Sequence, residues 1–260
     1  MFLKNMNENK IKNYFNKNSN YWERFYIESN NLVEAILVER KNIIKNFIFD
    51  NFEKNVKILD LGGGTGIMSS ELIKSGYSVD MIDISKNMIQ QAKLNYINLD
   101  LNIVDNKLIY EDFLSKNFSN KYDIIIALGY FEYQADYETN FNKIYDSLNS
   151  NGNLIFNLPI ERNLGNLFGM SRYVNNFTNL FKSVPHPGLK LKKYSELINL
   201  INKFGFKIDL VKDHGYGDIY ILNKIIPYII QKKISKFLSL LDKDNKIDFL
   251  KSNRIFFNNK

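Results

Sequence analysis

The chain has 260 residues, 35 Lys+Arg against 28 Asp+Glu, a formal net charge of +7, two His and no Cys. That length suits one large domain or one domain with appendages, and it is enough to bury a core without covalent staples. The lack of Cys excludes disulfide frameworks, thiolate metal centres and a Cys nucleophile, and two His are too few for a polyhistidine metal site, so no metal is expected.

The first 55 residues are polar and aromatic, with Tyr14-Phe15 and Tyr21-Trp22 in Asn-rich surroundings. Leu32, Ile36, Ile43, Ile44, Phe47 and Ile48 then recur at helical spacing and predict a helix over 29–50. From residue 56 the pattern becomes strand, turn, helix. A strand at 56–60 meets a Gly-rich turn at 62–66, and a helix over 67–75 ends at Gly76. A second strand, 77–82, runs into Asp83, and Ser85 is placed to cap a helix reaching about Asn95. A weaker strand at 107–110 runs into Glu111-Asp112. Residues 122–128 (YDIIIAL) are apolar almost throughout, as a central parallel strand should be. A helix over 136–148 and a strand over 152–158 follow, stopped by Pro159.

The rhythm breaks at 160–192, which reads as an insertion of loops and short helices. A helix over 194–204 follows. Strands at 206–211 and 218–222 then flank Gly215-Tyr216-Gly217, an antiparallel hairpin that would close the sheet. The repeated alternation predicts an α/β, doubly wound, mostly parallel sheet with helices on both faces. Three divisions are expected: an N-terminal helical lid at 1–52, the sheet domain at 53–224, and a basic amphipathic helix at 225–260.

The charge is concentrated in that last division. Residues 224–260 carry nine Lys/Arg against three Asp/Glu, which leaves 26 against 25 elsewhere. The +7 is therefore no pointer to nucleic acid, and none is expected as a partner. In the tail, Ile226, Ile229, Ile230, Ile234, Phe237, Leu238 and Leu241 share a helical stripe, with Lys232, Lys233 and Lys236 largely off it. The stripe calls for a cover: the core, a second subunit, or an anionic membrane surface touched through 225–241. No apolar run approaches the roughly 18 residues of a membrane span, and no signal-peptide pattern opens the chain, so a cytoplasmic location is expected.

The chemistry-bearing stretch is Asp60-Leu61-Gly62-Gly63-Gly64-Thr65-Gly66. A Gly-rich turn between strand and helix lets backbone approach a ligand closely and aims helix N–H groups at it. The dinucleotide fingerprint needs Gly at relative positions 1, 3 and 6, and here the sixth position is Ile67 or Ser69. A carboxylate beside the loop would repel a pyrophosphate but suits an ammonium group. Asp83 and Asp112 end the next two strands, where the first can hold ribose hydroxyls and the second an adenine amine.

At these residues the chain resembles the class I, Rossmann-like S-adenosylmethionine-dependent methyltransferases of small-molecule type. KILDLGGGTG looks like their first motif, YSVDMIDIS their second strand, YEDF their adenine-binding segment, and YDIIIALGYFEY with LNSNGNLIFNLP their fourth and fifth strands. The resemblance implies a seven-stranded sheet whose last strand is antiparallel, and S-adenosyl-L-methionine as cofactor. It places Asp60 near the methionine ammonium and Gly62, Gly64 and Gly66 beneath the cofactor. Asp83 falls at the ribose, Ile84, Met88, Asp112 and Phe113 around the adenine, and Leu128 and Gly129 past the methionine. Gly63, where many relatives have Cys, is a variable position in that family.

Methyl transfer to an alcohol is helped by a general base, whereas an acidic hydroxyl or a carboxylate needs none. Candidate catalytic groups are His186 in the Pro-flanked insertion, which would roof the substrate pocket, and Glu132 and Tyr133 after the fourth strand. Tyr130, His214 and the lid aromatics Tyr14, Tyr21 and Trp22 are candidates for substrate or cofactor contact. The expected activity is methyl transfer to a small-molecule hydroxyl or carboxyl oxygen. A small amine as acceptor, or a non-catalytic cofactor-binding member of the fold, stay open. The Asn/Asp-Pro-Pro-aromatic motif of RNA base-nitrogen enzymes is replaced here by Ala127-Leu128-Gly129-Tyr130-Phe131.

Overall fold

The computed structural model describes residues 2–24, 31–101, 107–159, 193–216, 226–242 and 251–260. In chain order these form α1 (Phe2–Arg24), α2 (Leu32–Asn51), β1 (Lys57–Leu61), α3 (Ile67–Lys74), β2 (Ser78–Asp83), α4 (Lys86–Asn98), β3 (Leu108–Tyr110) and β4 (Tyr122–Ala127). A short 3-10 turn (Phe131–Tyr133) precedes α5 (Tyr137–Ser147), β5 (Leu148–Pro159), α6 (Tyr194–Lys203), β6 (Lys207–Tyr216), α7 (Tyr228–Leu241) and β7 (Lys251–Asn259). The predicted insertion at 160–192 and the predicted strand at 218–222 lie outside the described residues.

The seven strands form one sheet in the order β3-β2-β1-β4-β5-β7-β6. β1 to β5 pair parallel, and β7 runs antiparallel to both its neighbours. Chain order reverses between β1 and β4, so a crevice opens at their carboxyl ends. Side-chain alternation divides the core between two faces. Ile58, Ile124, Ile126, Ile155, Ile255 and Phe257 cluster with Ile44 and Ile48 of α2 and Met68 and Leu72 of α3. Leu59, Ile125, Leu154, Phe156 and Phe256 cluster with Phe141 and Ile144 of α5 and Leu197, Leu200 and Ile201 of α6. Caps fix where helices start: Asn31 Oδ1 accepts from Glu34 N–H at 3.1 Å, and Ser85 Oγ from Met88 N–H at 3.2 Å.

The C-terminal division departs from the sequence reading. Its helix covers Tyr228–Leu241, not 225–260, and the chain then enters the sheet as β7. The antiparallel partner of β6 is therefore residues 251–259. The reason is that β7 is an interior strand with both faces covered. Ile255-Phe256-Phe257 is then a continuous apolar run with no polar alternation to announce it. Its anchors are specific. Arg254 donates to both carboxylate oxygens of Asp213 on β6, at 2.5 and 2.8 Å. Lys260 Nζ donates to the carbonyls of Tyr145 and Leu148 at the end of α5, at 2.6 and 2.9 Å. A cation suits that helix terminus.

Phe256 stacks on Phe156 at 4.8 Å between centroids, beneath α5 and α6. Phe256→Ala is expected to cost about 3–5 kcal/mol in urea denaturation. Removal of residues 251–260 strips two strands of their partner, and a cooperative transition should be absent.

Candidate active site

Asp60, in β1, is buried, and its Oδ2 accepts the hydroxyl of Ser69 in α3 at 2.5 Å. Asp83 ends β2, and its two oxygens accept backbone N–H bonds, Oδ1 from Ser85 at 2.7 Å and Oδ2 from Gly64 at 3.0 Å. Burial pushes both carboxyls up to about 6. The hydrogen bonds oppose burial in each case, and the Asp83 charge adds to the shift of Asp60.

The loop between β1 and α3 is shaped by missing Cβ atoms. Gly62 has φ +70°, and a Cβ there would stand 3.0 Å from the Tyr130 ring. Gly63 is as constrained, since a Cβ would fall 2.5 Å from Met81 Cγ and 2.9 Å from the Asp60 carboxyl. Although this position varies in the resembled family, here the packing demands glycine.

A cavity of about 390 Å³ opens over this loop. Asp60, Gly62, Gly64, Asp83, Ile84 and Met88 line one side of it, and Asp112 and Phe113 extend that wall past β3. Leu128, Gly129, Tyr130, Glu132 and Tyr133 line it after β4. Gly129 has φ +65°, and its N–H donates to the buried Asn157 Oδ1 of β5 at 2.8 Å. Tyr130 donates its hydroxyl to Asn140 Oδ1 at 2.6 Å. Ile11, Tyr14, Phe15, Tyr21 and Trp22 of α1 also line the cavity.

Phe15 and Asn16 seat α1. The Phe15 ring meets Tyr133 edge-on at 5.2 Å. Asn16 Oδ1 accepts from Ser85 Oγ at 2.8 Å, and the Asn16 carbonyl accepts from Asn87 Nδ2 at 2.7 Å.

The remaining wall comes from α2, and the sequence reading missed it. Buried Arg40 and Lys41 line the cavity. Lys41 pairs with Glu71 of α3, and Lys45 meets the other oxygen of Glu71 at 2.7 Å. Burial pushes Glu71 up, but the two lysines outweigh it and hold the carboxyl below its ordinary value. Arg40 lies near Gly129 and Glu132: an atom placed at a Gly129 Cβ would be 3.4 Å from Glu132 Oε1 and 4.0 Å from an Arg40 terminal nitrogen. Burial raises Glu132 above the ordinary carboxylate value, and the Arg40 charge partly opposes it.

Two expected site residues fall elsewhere. Gly66 is absent from the cavity wall; its missing Cβ lets the start of α3 meet α4, since a Cβ would be 2.9 Å from Ala92 Cβ. His214 sits within β6, not in a turn, and is 1% exposed away from the cavity. Burial and the Arg40 charge push it down to about 3, against the opposing effect of Asp213, so it is neutral and no base for a substrate. His186 lies outside the described residues.

A family model described as a methyltransferase domain matches residues 39–211. The chain belongs to the class I S-adenosylmethionine-dependent methyltransferases. It is 29% identical over 169 residues to a malonyl-[acyl-carrier protein] O-methyltransferase of Calditerrivibrio nitroreducens, covering 60% of this chain and 56% of that protein. It is 27% identical over 160 residues to a ubiquinone biosynthesis O-methyltransferase of Pelagibacter ubique, covering 58% of this chain and 61% of that protein. The chain thus spans under two thirds of the length of these curated relatives. The fold matches magnesium protoporphyrin IX methyltransferase from Synechocystis PCC 6803, crystallised with bound SAH, at a TM-score of 0.68. The identity is 16%, with 98% of this chain and 99% of that chain covered.

The raised carboxyls have a measurable consequence in the ligand-free protein. A raised folded-state value stabilises below the unfolded carboxylate value of about 3.9, and that stability is lost as pH rises through about 6. Asp83→Asn removes this loss. Beyond any constant offset, its melting temperature relative to the parent should rise between about pH 4 and about pH 7. A pH-independent difference would exclude a raised Asp83.

Proposed function

We propose that this protein transfers a methyl group from S-adenosylmethionine to a hydroxyl or carboxyl oxygen of a small molecule. The carrying observation is the cavity, which joins three carboxylates at successive strand ends to a buried guanidinium on the facing helix. A methionine zwitterion needs both signs, Asp60 for the ammonium and Arg40 for the carboxylate, and Arg offers a planar fork for the latter. Asp83 retains free lone pairs for ribose hydroxyls after accepting its two backbone bonds. Ile84, Met88 and Phe113 offer apolar surface for a flat ring, and Asp112 an acceptor for its amine. The glycine cradle, which a Cβ would fill at Gly62 and Gly63, also fits this cofactor.

When bound, the cofactor supplies a methyl already activated on a sulfonium sulfur. The protein's task is to hold an acceptor in line and keep water out. The α1 aromatics and Tyr133 exclude water, and an aromatic face favours a sulfonium cation. For a hydroxyl acceptor, Glu132 serves as general base, since its raised value makes it a stronger proton acceptor than an ordinary carboxylate. The two O-methyltransferase relatives favour oxygen over nitrogen as the acceptor atom.

Calorimetry with S-adenosylmethionine tests the cofactor assignment. Binding is expected, and Asp83→Ala should weaken it on the order of a hundredfold, from two lost bonds to a charged acceptor; no binding by the parent protein would overturn the reading.

Glu132→Gln should leave that binding intact and lower kcat for a phenolic acceptor by about 10²–10⁴-fold. In the parent, the rate should climb with pH along a limb lying above the ordinary carboxylate range. An unchanged pH profile in the variant would remove Glu132 from the chemistry.

A further inference from the structure

Helix α7 is turned inside out. Its one buried residue is Gln231, whose Oε1 accepts the backbone N–H of Leu32 at 3.2 Å and whose Nε2 donates to the Ile226 carbonyl at 2.6 Å. Asp242, which closes the helix, is also buried and accepts the Tyr216 hydroxyl at 3.3 Å. The large apolar residues face away from the body. Ile229 is 70% exposed, Phe237 60%, Leu241 56%, Leu240 54%, Ile230 47% and Ile234 38%. Lys232, Lys233 and Lys236 are exposed as well, and the helix contains no acidic residue.

On a helical wheel these apolar residues span a single arc, with Lys233 inside it and Lys236 and Lys232 along one edge. Burying that arc on water-free surface is favourable. A second copy is a poor cover, because pairing like faces sets lysines against lysines. An anionic lipid surface accepts both sets, the apolar residues at the acyl boundary and the lysines among headgroups.

We infer that α7 docks the protein on anionic membrane surfaces, lying in the interface without crossing it. Among the described residues no helix is long and apolar enough to cross a membrane. Lipid docking by α7 is independent of methyl transfer.

The test is co-sedimentation of the full chain with vesicles of phosphatidylcholine, alone or mixed with phosphatidylglycerol. Pelleting is expected with the anionic vesicles only, and it should weaken as salt rises. Lys232→Glu, Lys233→Glu and Lys236→Glu together should weaken it on the order of a hundredfold. Phe237→Ser with Leu240→Ser should also reduce it. Both sets alter exposed positions, so their melting curves by circular dichroism should match the parent. No pelleting, equal pelleting with both vesicle types, or pelleting unmoved by either variant set would overturn the inference. A dimer in sedimentation velocity that Phe237→Ser dissolves, without lipid binding, would overturn it in favour of a second copy.

Discussion

The Asp83 carboxylate at the end of β2 accepts one N–H from the glycine loop and one from the turn into α4. Three further parts take their positions from those bonds. Gly64 is held where the loop must pass under the cavity. Ser85 is held so that its hydroxyl caps α4 through Met88 N–H and reaches Asn16 of α1. Helix α1 is thus keyed to the strand end through Ser85, with Asn87 of α4 beside it. A carboxylate is the group that can do this, because it has lone pairs to serve two backbone donors and still face a ligand. The cost is desolvation, which raises the carboxyl above its ordinary value.

Charge placement around the cavity follows the same economy of buried groups. The Asp83 charge adds to burial in raising Asp60, while Arg40 stands on the helix opposite and Glu132 beside Gly129. Burial keeps His214 neutral, and the Arg40 charge adds to that effect. A buried cation whose charge acts on both Glu132 and His214 is not replaced by lysine, whose point charge would not reproduce a planar fork. The Lys41–Glu71–Lys45 set lies next along α2 and ties that helix to α3, so the cation wall and the glycine loop are braced together.

Much of this was legible from residues alone. The strand-turn-helix rhythm and the acids at three strand ends place the crevice, because parallel strands are apolar runs and their polar ends stand out. Arg40 was equally legible in principle. Leu32, Ile36, Arg40, Ile44 and Ile48 recur at strict four-residue spacing, so a cation sits in the middle of a buried apolar stripe. Gly63 and Gly66 carry no sign of their neighbours, since Met81 and Ala92 approach only in three dimensions. His214 looked like a turn residue because Gly215 follows it, yet β6 runs through that glycine to Tyr216. β7 was hidden by composition: its apolar core is three residues long, and its identity depends on a partner about a hundred residues earlier in sequence.

The position of β7 also changes what the basic segment is. With 251–259 locked between β5 and β6, residues 226–242 are not a free tail but a bridge between two strands of the sheet. Its orientation is set from both sides, by Gln231 on the first turn of α2 and by Asp242 on Tyr216. Rotating α7 to hide its isoleucines would take the acceptor from the Leu32 N–H, one of the orphan donors at a helix start, and carry Gln231 and Asp242 out of their bonds. The outward apolar face is therefore held by the polar inward one. Because α2 carries Arg40 eight residues beyond Leu32, the same glutamine joins the outward helix to the wall of the cavity.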